Sequence, residues 1–278
     1  MAFYPKVSLV RVVLLAFLFC ACVVFSTSAS AQVSHSEQVQ IKPPLIRTVD
    51  PPSADATVAE LEKRGDDLRM EKMYLDALDY YRAALLKNAH SAILLNKIGI
   101  TELMMQRYRE AQKTFGQALK TNKRFADAMN NLAVVYYEEQ KYGAAVKEYK
   151  KAIAIDNTSA SFYSNLGAAL FSKKDFEAAG LAYQKAMEID PDVFERTSRA
   201  GLQAQLPSPG DRARYDYTVA KLYAKMGFSD RSLEYLKKAM EEGYKDLKNV
   251  YRDSEFAELR KDKRFSELMA SKPATLPD

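Results

Sequence analysis

The sequence predicts an all-α solenoid of about five helix-turn-helix hairpins, closed by a helical C-terminal cap. Three observations predict it. Small and aromatic residues recur in four columns at an interval of 34 residues: Gly65, Gly99, Ala133 and Gly167; Ala77, Ala111, Ala145 and Ala179; Tyr81, Phe115, Tyr149 and Tyr183; Ala84, Ala118, Ala152 and Ala186. Self-similarity at such a period marks a stacked array, because one short hairpin cannot bury its own apolar face. Within a unit the large residues keep helical spacing, as Tyr163, Leu166 and Leu170 do at intervals of three and four and Phe176 and Tyr183 at seven, between Ala160 and Pro191, and that spacing is one face of a helix. Composition agrees, with only 10 Gly and 10 Pro in 278 residues and 28% charged residues, a folded and helix-prone balance.

The amino terminus stands apart from the array. Lys6 and Arg11 precede fourteen uninterrupted apolar residues, Val12 to Phe25, and Ala29-Ser30-Ala31 has the small-x-small pattern of a cleavage site. Residues 1–31 therefore read as a secretory signal peptide cut after Ala31, with an exported, envelope or secreted, mature chain. An uncleaved anchor reaching back to Val7 is the competing reading, and it would place Arg11 inside the span. Cys20 and Cys22 fit a lipoprotein signal poorly because phenylalanines stand before them. Both cysteines lie in the removed part, which leaves no thiol chemistry in the mature chain. The remaining 39 basic and 36 acidic residues give a net charge of +3, too balanced to argue for nucleic acid. Residues 32–57, with Pro43-Pro44 and Pro51-Pro52, read as a disordered proline-rich linker.

From Val58 four units follow, over residues 58–91, 92–125, 126–159 and 160–193. Gly or Ala at the eighth position and Ala at the twentieth let two helices approach. The aromatic four residues further on is expected to fill the groove toward the next hairpin. The fourth unit carries Asn165-Leu-Gly167 and the closing Pro191; the first three replace that proline with Ala89, Lys123 and Asn157. This layout resembles the tetratricopeptide repeat (TPR), a resemblance that covers Val58–Val193 and implies a right-handed solenoid with a concave face.

The period then breaks. Residues 194–212 hold one further helix and the breaker Pro207-Ser-Pro-Gly210. A fifth hairpin is expected over residues 213–246, with Ala220, Tyr223, Ser232, Leu236 and Ala239 in repeat slots, 53 residues after their counterparts. In the tail, residues 247–278, Asp253-Ser-Glu-Phe256 and Asp262-Lys-Arg-Phe265 are expected to open short capping helices with an Asp N-cap each, ahead of frayed ends.

The sequence supports binding rather than catalysis. His90 is the sole histidine of the repeats, and no triad, metal-ligand cluster or phosphate loop is visible. No cofactor or metal is expected. Adjacent acids such as Glu138-Glu139 read as solvated helix faces. The resemblance implies that first helices line a peptide-binding groove, which points to Asn96, Lys97 and Ile100; Asn130, Asn131, Val134 and Tyr137; and Ser164, Asn165 and Phe171. The fifth hairpin adds Arg214, Tyr217 and Lys221. Amides that donate and accept together suit the backbone of an extended peptide. In the other direction, the asparagines can bond the neighbouring hairpin while the aromatics serve as packing. The Lys/Asn clamp by which chaperone-binding relatives grip a terminal carboxylate is missing, since its slots hold Glu62 and Asp66, Asn96 and Ile100, Asn130 and Val134, and Ser164 and Ala168. The expected role is an exported, non-enzymatic scaffold or assembly factor that holds a peptide segment or helix of another envelope or secreted protein. Self-association and service as a non-catalytic accessory subunit are the alternatives.

Overall fold

The helical array opens on a capping box at Thr57. The Glu60 backbone N–H donates to Thr57 Oγ1 at 3.3 Å, and the Thr57 N–H returns a bond to Glu60 Oε2 at 2.7 Å, so two amides of the first turn find acceptors. The computed structural model describes residues 49–194 and 209–271. The expected signal peptide, residues 32–48 of the linker, residues 195–208 of the inserted segment and residues 272–278 of the tail lie outside the described residues.

Ten helices pair in order: α1 (Val58–Met70) with α2 (Tyr74–Lys87), α3 (Ala92–Met104) with α4 (Tyr108–Thr121), α5 (Ala126–Glu138) with α6 (Tyr142–Ile155), α7 (Ala160–Ser172) with α8 (Phe176–Ile189), and α9 (Pro209–Lys225) with α10 (Ser229–Glu241). Three 3-10 turns, Leu247–Tyr251, Ser254–Phe256 and Leu259–Lys261, lead into α11 (Lys263–Ser271). The described residues belong to one packed unit, Arg47–Asp278. A core cluster runs through the later hairpins from Ile100 to Phe265, and a smaller one is built on Leu61, Leu68, Leu78 and Tyr81 of the first hairpin.

One device turns every hairpin. Lys72, Gln106, Gln140 and Lys174, each 34 residues after the last, sit in the left-handed region with φ of 63°, 60°, 59° and 65°. Gly227 holds the same place in the fifth hairpin with φ 82°. In each case the following amide reaches back across the last turn, as Lys141 N to Tyr136 O at 2.8 Å, and the turn residue's own amide bonds three back, as Gln140 N to Tyr137 O at 2.8 Å. That is the Schellman closure of a helix, which satisfies carbonyls that the last turn would otherwise leave open.

The small and aromatic columns meet inside one hairpin. A Cβ added to Gly65, Gly99 or Gly167 would lie 2.6, 2.6 or 2.4 Å from a ring carbon of Tyr81, Phe115 or Tyr183. The ring thus lies on the glycine of its own first helix, whereas the sequence reading directed it toward the next hairpin. Only a bare backbone leaves room for that ring at this separation. In the third hairpin Ala133 stands at the glycine position beneath Tyr149, and both are fully buried.

Two local expectations are corrected. The last nine residues of the supposed linker touch the first hairpin: Val49 and Ala56 join its apolar cluster, Tyr80 Oη donates to Asp50 O at 3.2 Å, and Lys87 Nζ donates to Ala54 O at 2.6 Å. Asp253 does not cap the turn after it with its side chain. Its carboxylate accepts from Tyr217 Oη at 2.8 Å and pairs with Lys221 Nζ at 3.1 Å, which ties the cap to α9. Asp262 does behave as a cap, accepting from the Arg264 N–H at 2.9 Å. The fifth hairpin is anchored to the end of the fourth by Arg231, whose guanidinium donates to Pro191 O at 2.9 Å and pairs with Asp192 while lying over the rings of Tyr223 and Phe228.

Candidate functional site

Nine of the ten expected groove residues on the second to fourth hairpins are buried. Asn130, Asn131 and Asn165 are each 1% exposed, and Asn96, Ile100, Val134, Tyr137, Ser164 and Phe171 are likewise covered. The amides bond one another. Asn165 Nδ2 donates to Asn130 Oδ1 at 3.1 Å, Asn130 Nδ2 to Asn131 Oδ1 at 3.2 Å, and Asn131 Nδ2 to Asn96 Oδ1 at 3.1 Å. The result is a one-way chain from α7 through α5 to α3. This corrects the groove assignment in favour of the other reading of the asparagines. First helices approach closely enough for their amides to meet, and a buried amide must be satisfied, so they satisfy each other. Lys97 is partly exposed, yet its ammonium is held by Glu62 at 2.7 Å and Asp66 at 2.5 Å. Tyr137 Oη meets Ser172 Oγ at 3.1 Å, and burial pushes its phenol up to about 12. Phe171 packs edge-on to Phe176 with centroids 4.9 Å apart.

Of the fifth-hairpin candidates Tyr217 is buried as well, but Arg214 is exposed and Lys221 half-buried. Arg214, Tyr217 and Lys221 converge on a cleft of about 540 Å³ between α8, α9 and the C-terminal cap. Their spacing puts them on one face of α9, three and four residues apart. From α8 the cleft receives Phe176, Leu181 and Gln184, and from the cap Tyr244, Asp253 and Glu255. The Arg214 guanidinium lies 4.5 Å from the Phe176 ring centroid, a cation–π contact across the junction of the fourth and fifth hairpins. Tyr217 and Tyr244 stack at 4.3 Å with planes 19° apart. Burial first, then the bond to Asp253, raises the Tyr217 phenol well above its ordinary range, so it stays a donor. Three cations (Arg214, Lys221, Lys225) face three carboxylates (Glu177, Asp253, Glu255) among the lining residues. Such a lining combines aromatic surface with fixed charges of both signs, which is the make-up of a recognition pocket.

Sequence reasoning missed the α8 and cap contributions. Phe176 reads as one of the packing residues of a second helix, whereas Leu181 carries a signal in its column, where the earlier repeats have Asp79, Lys113 and Lys147 and the fold leaves it 65% exposed. Tyr244 and Glu255 lie beyond the last repeat column, where the 34-residue period carries no information. Among the described residues no helix is long and apolar enough to cross a membrane, and no group of three or more His, Cys, Asp or Glu is placed to hold a metal ion.

Comparison with known proteins places this geometry. Residues 135–174 match a family model described as TPR repeat, and residues 160–193 match one described as tetratricopeptide repeat. No curated protein sequence matches the chain. Among solved structures, one titled as the functional characterisation of Pseudomonas aeruginosa pilF is 16% identical, covers 79% of this chain and 90% of its own, and superposes with a TM-score of 0.52. MamA from Desulfovibrio magneticus is 17% identical over 71% of this chain and 98% of its own, with a TM-score of 0.48. A thermophilic TPR protein of Thermus thermophilus is 19% identical over 77% of this chain and 100% of its own, with a TM-score of 0.47. The chain is thus an all-α solenoid of consecutive hairpins that carries tetratricopeptide repeats, matched directly over residues 135–193.

Proposed function

We propose that this protein is an exported, non-catalytic interaction scaffold that seats a segment of another envelope or secreted protein in the cleft beside its fifth hairpin. The observation that carries this reading is the convergence of Arg214, Tyr217 and Lys221 with Phe176 and Tyr244 at the junction where the 34-residue period is interrupted. Elsewhere the first helices turn their amides toward one another, and the residues first expected to bind a peptide are engaged in holding hairpins together. Repeat arrays present their binding surface where stacked units leave one face unfilled, and stacked tyrosines with fixed ions favour recognition over chemistry. Export rests on the apolar run Val12 to Phe25 and the Ala29-Ser30-Ala31 pattern.

A photo-crosslinking amino acid at Thr218, in the cleft, tests the surface, with the same group at exposed Lys150 as the control. A discrete adduct with another protein is expected from position 218 in native cells and not from position 150. No adduct from 218, or the same adducts from both, would refute the cleft as the surface. Mass spectrometry of the mature amino terminus tests export: a chain starting at Gln32 is expected, and one retaining residues 1–31 overturns the cleavage.

A further inference from the structure

The three cations of the cleft are not equivalent. Lys221 is bracketed by Asp253 at 3.1 Å and Glu255 at 3.2 Å. Lys225 Nζ donates to Gln184 Oε1 at 3.0 Å. Arg214 is exposed, and among the described residues it has no carboxylate or amide acceptor. What it has is the face of Phe176, itself braced edge-on by Phe171 at 4.9 Å. A cation–π contact uses none of the guanidinium's N–H groups as donors. The donor fork therefore stays open to a ligand while the contact with the ring holds it in place.

Beside that fork lies apolar surface of two kinds: the half-buried ring of Tyr244, backed by the buried ring of Tyr217 stacked on it, and Leu181 on α8. We infer that the cleft recognises a peptide segment in which a side-chain carboxylate adjoins an apolar residue, the carboxylate bidentate on Arg214 and the apolar group against the tyrosine stack and Leu181. This assignment rests on the cleft being the binding surface. A planar carboxylate matches the fork with two parallel bonds. Charge complementarity sets the limit on the anion. Asp253 and Glu255 both engage Lys221, and with Glu177 on the same wall the three cations of the lining face three carboxylates, so the lining offers the open donors of Arg214 and no surplus of positive charge for a phosphate dianion. The volume, about 540 Å³, accommodates a few side chains and falls in the range of recognition pockets.

The test uses the full chain and three fluorescein-labelled hexapeptides that differ at one residue: a Leu-Phe-Glu core, its Leu-Phe-Gln counterpart and its Leu-Phe-phosphoserine counterpart, compared by anisotropy. The Glu peptide is expected to bind about tenfold more tightly than the Gln peptide, the scale of one charge-assisted pair. Arg214→Ala should bring that ratio to about one, and Arg214→Lys should keep part of it because the charge remains without the fork. Arg214 is exposed, and circular dichroism checks that both variants fold. Leu181→Ser, which removes apolar surface without adding charge, should weaken the Glu and Gln peptides alike. Equal binding of the Glu and Gln peptides to the unaltered chain overturns the inference, as does a preference that survives Arg214→Ala or tighter binding of the phosphoserine peptide. Where that ratio is one but Leu181→Ser still weakens both peptides, the cleft stands and the carboxylate assignment alone falls. Absence of binding by all three, together with no crosslink at position 218, sinks the cleft itself.

Discussion

Three tyrosines in one repeat column offer an internal control on the cost of a buried hydroxyl. Tyr81 Oη donates to Asp66 Oδ1 at 2.7 Å and accepts from Arg69 Nε at 3.1 Å. Tyr149 Oη and Tyr183 Oη are buried with no hydrogen-bond partner among the described residues. The cause lies fifteen residues upstream, where the first hairpin has Asp66 but the third and fourth have Val134 and Ala168. The second hairpin already carries Phe115 in this column. An unpaired buried hydroxyl costs about 1–3 kcal/mol of desolvation. Tyr183→Phe and Tyr149→Phe should therefore stabilise the protein by roughly 0.5–2 kcal/mol each, with the ring packing on Gly167 and Ala133 unchanged. Tyr81→Phe removes a charge-assisted bond and should cost about 1–2 kcal/mol. Urea titration followed by circular dichroism reads the sign, with matched m-values required for the comparison. Hydrogen exchange over α7 and α8 localises the effect, since coupled repeats need not unfold in one step. If Tyr183→Phe destabilises, or if all three substitutions act alike, the assignment of paired and unpaired hydroxyls is wrong.

Other consequences are open to similar measurement. Asn131→Ala breaks two links of the amide chain and strands Asn96 Oδ1 and Asn130 Nδ2, so a loss of about 2–4 kcal/mol is expected in chemical denaturation; a loss below about 0.5 kcal/mol would contradict the chain as a structural element. Gln140→Gly relieves a side chain held at φ 59° and should raise stability by up to about 1 kcal/mol, whereas Gly227→Ala at φ 82° should lower it by about 1–2 kcal/mol. Asp216, 8% exposed on α9, has its carboxyl pushed up to about 7, by burial first and by Glu242 next, against the opposing charges of Lys238 and Arg212. Because the folded value lies above the unfolded 3.8, the protonated form is favoured on folding; the stability it adds is full below pH 3.8 and lost as pH rises toward about 7. Asp216→Asn should remove that slope, so its stability advantage over the unaltered chain should grow by a few kcal/mol between about pH 4 and pH 8 in paired denaturation series, and an advantage that does not grow would count against the burial of a charge there.

The fold was legible because its cause is periodic. Gly167 and Tyr183 are sixteen residues apart with the ring on a bare backbone, and that spacing writes the hairpin into the sequence three times with glycine and once with Ala133. The turns were only half legible. Lys72, Gln106, Gln140 and Lys174 carry no glycine or asparagine signal, and they are held left-handed by the helix-closing bonds around them rather than by their own preference. The candidate site was read by face and not by neighbour. Helical spacing puts Asn130 and Arg214 on equivalent faces of their helices, but it does not say how near the next first helix comes. Close approach turns Asn130 and Asn131 into links of a chain, while the interrupted period after Val193 leaves Arg214 and Lys221 on a cleft. Asp253 was misread for a related reason: a cap and a long-range partner need the same side chain, and the pull of Tyr217 and Lys221 prevails.

The junctions between hairpins, finally, are written in different chemical alphabets. Ions join the first to the second, through Lys97 with Glu62 and Asp66. Amides join the second to the third and the third to the fourth. A guanidinium fork on Pro191 and Asp192 joins the fourth to the fifth. Units that share one apolar skeleton are prone to exchange places, within a chain or between two copies. Here a first hairpin moved away from the second would leave Glu62 and Asp66 without the ammonium of Lys97, a loss of charge balance that the amide junctions cannot make good. The repeats look alike in their cores and are yet not interchangeable, and that is how a periodic sequence keeps a single order.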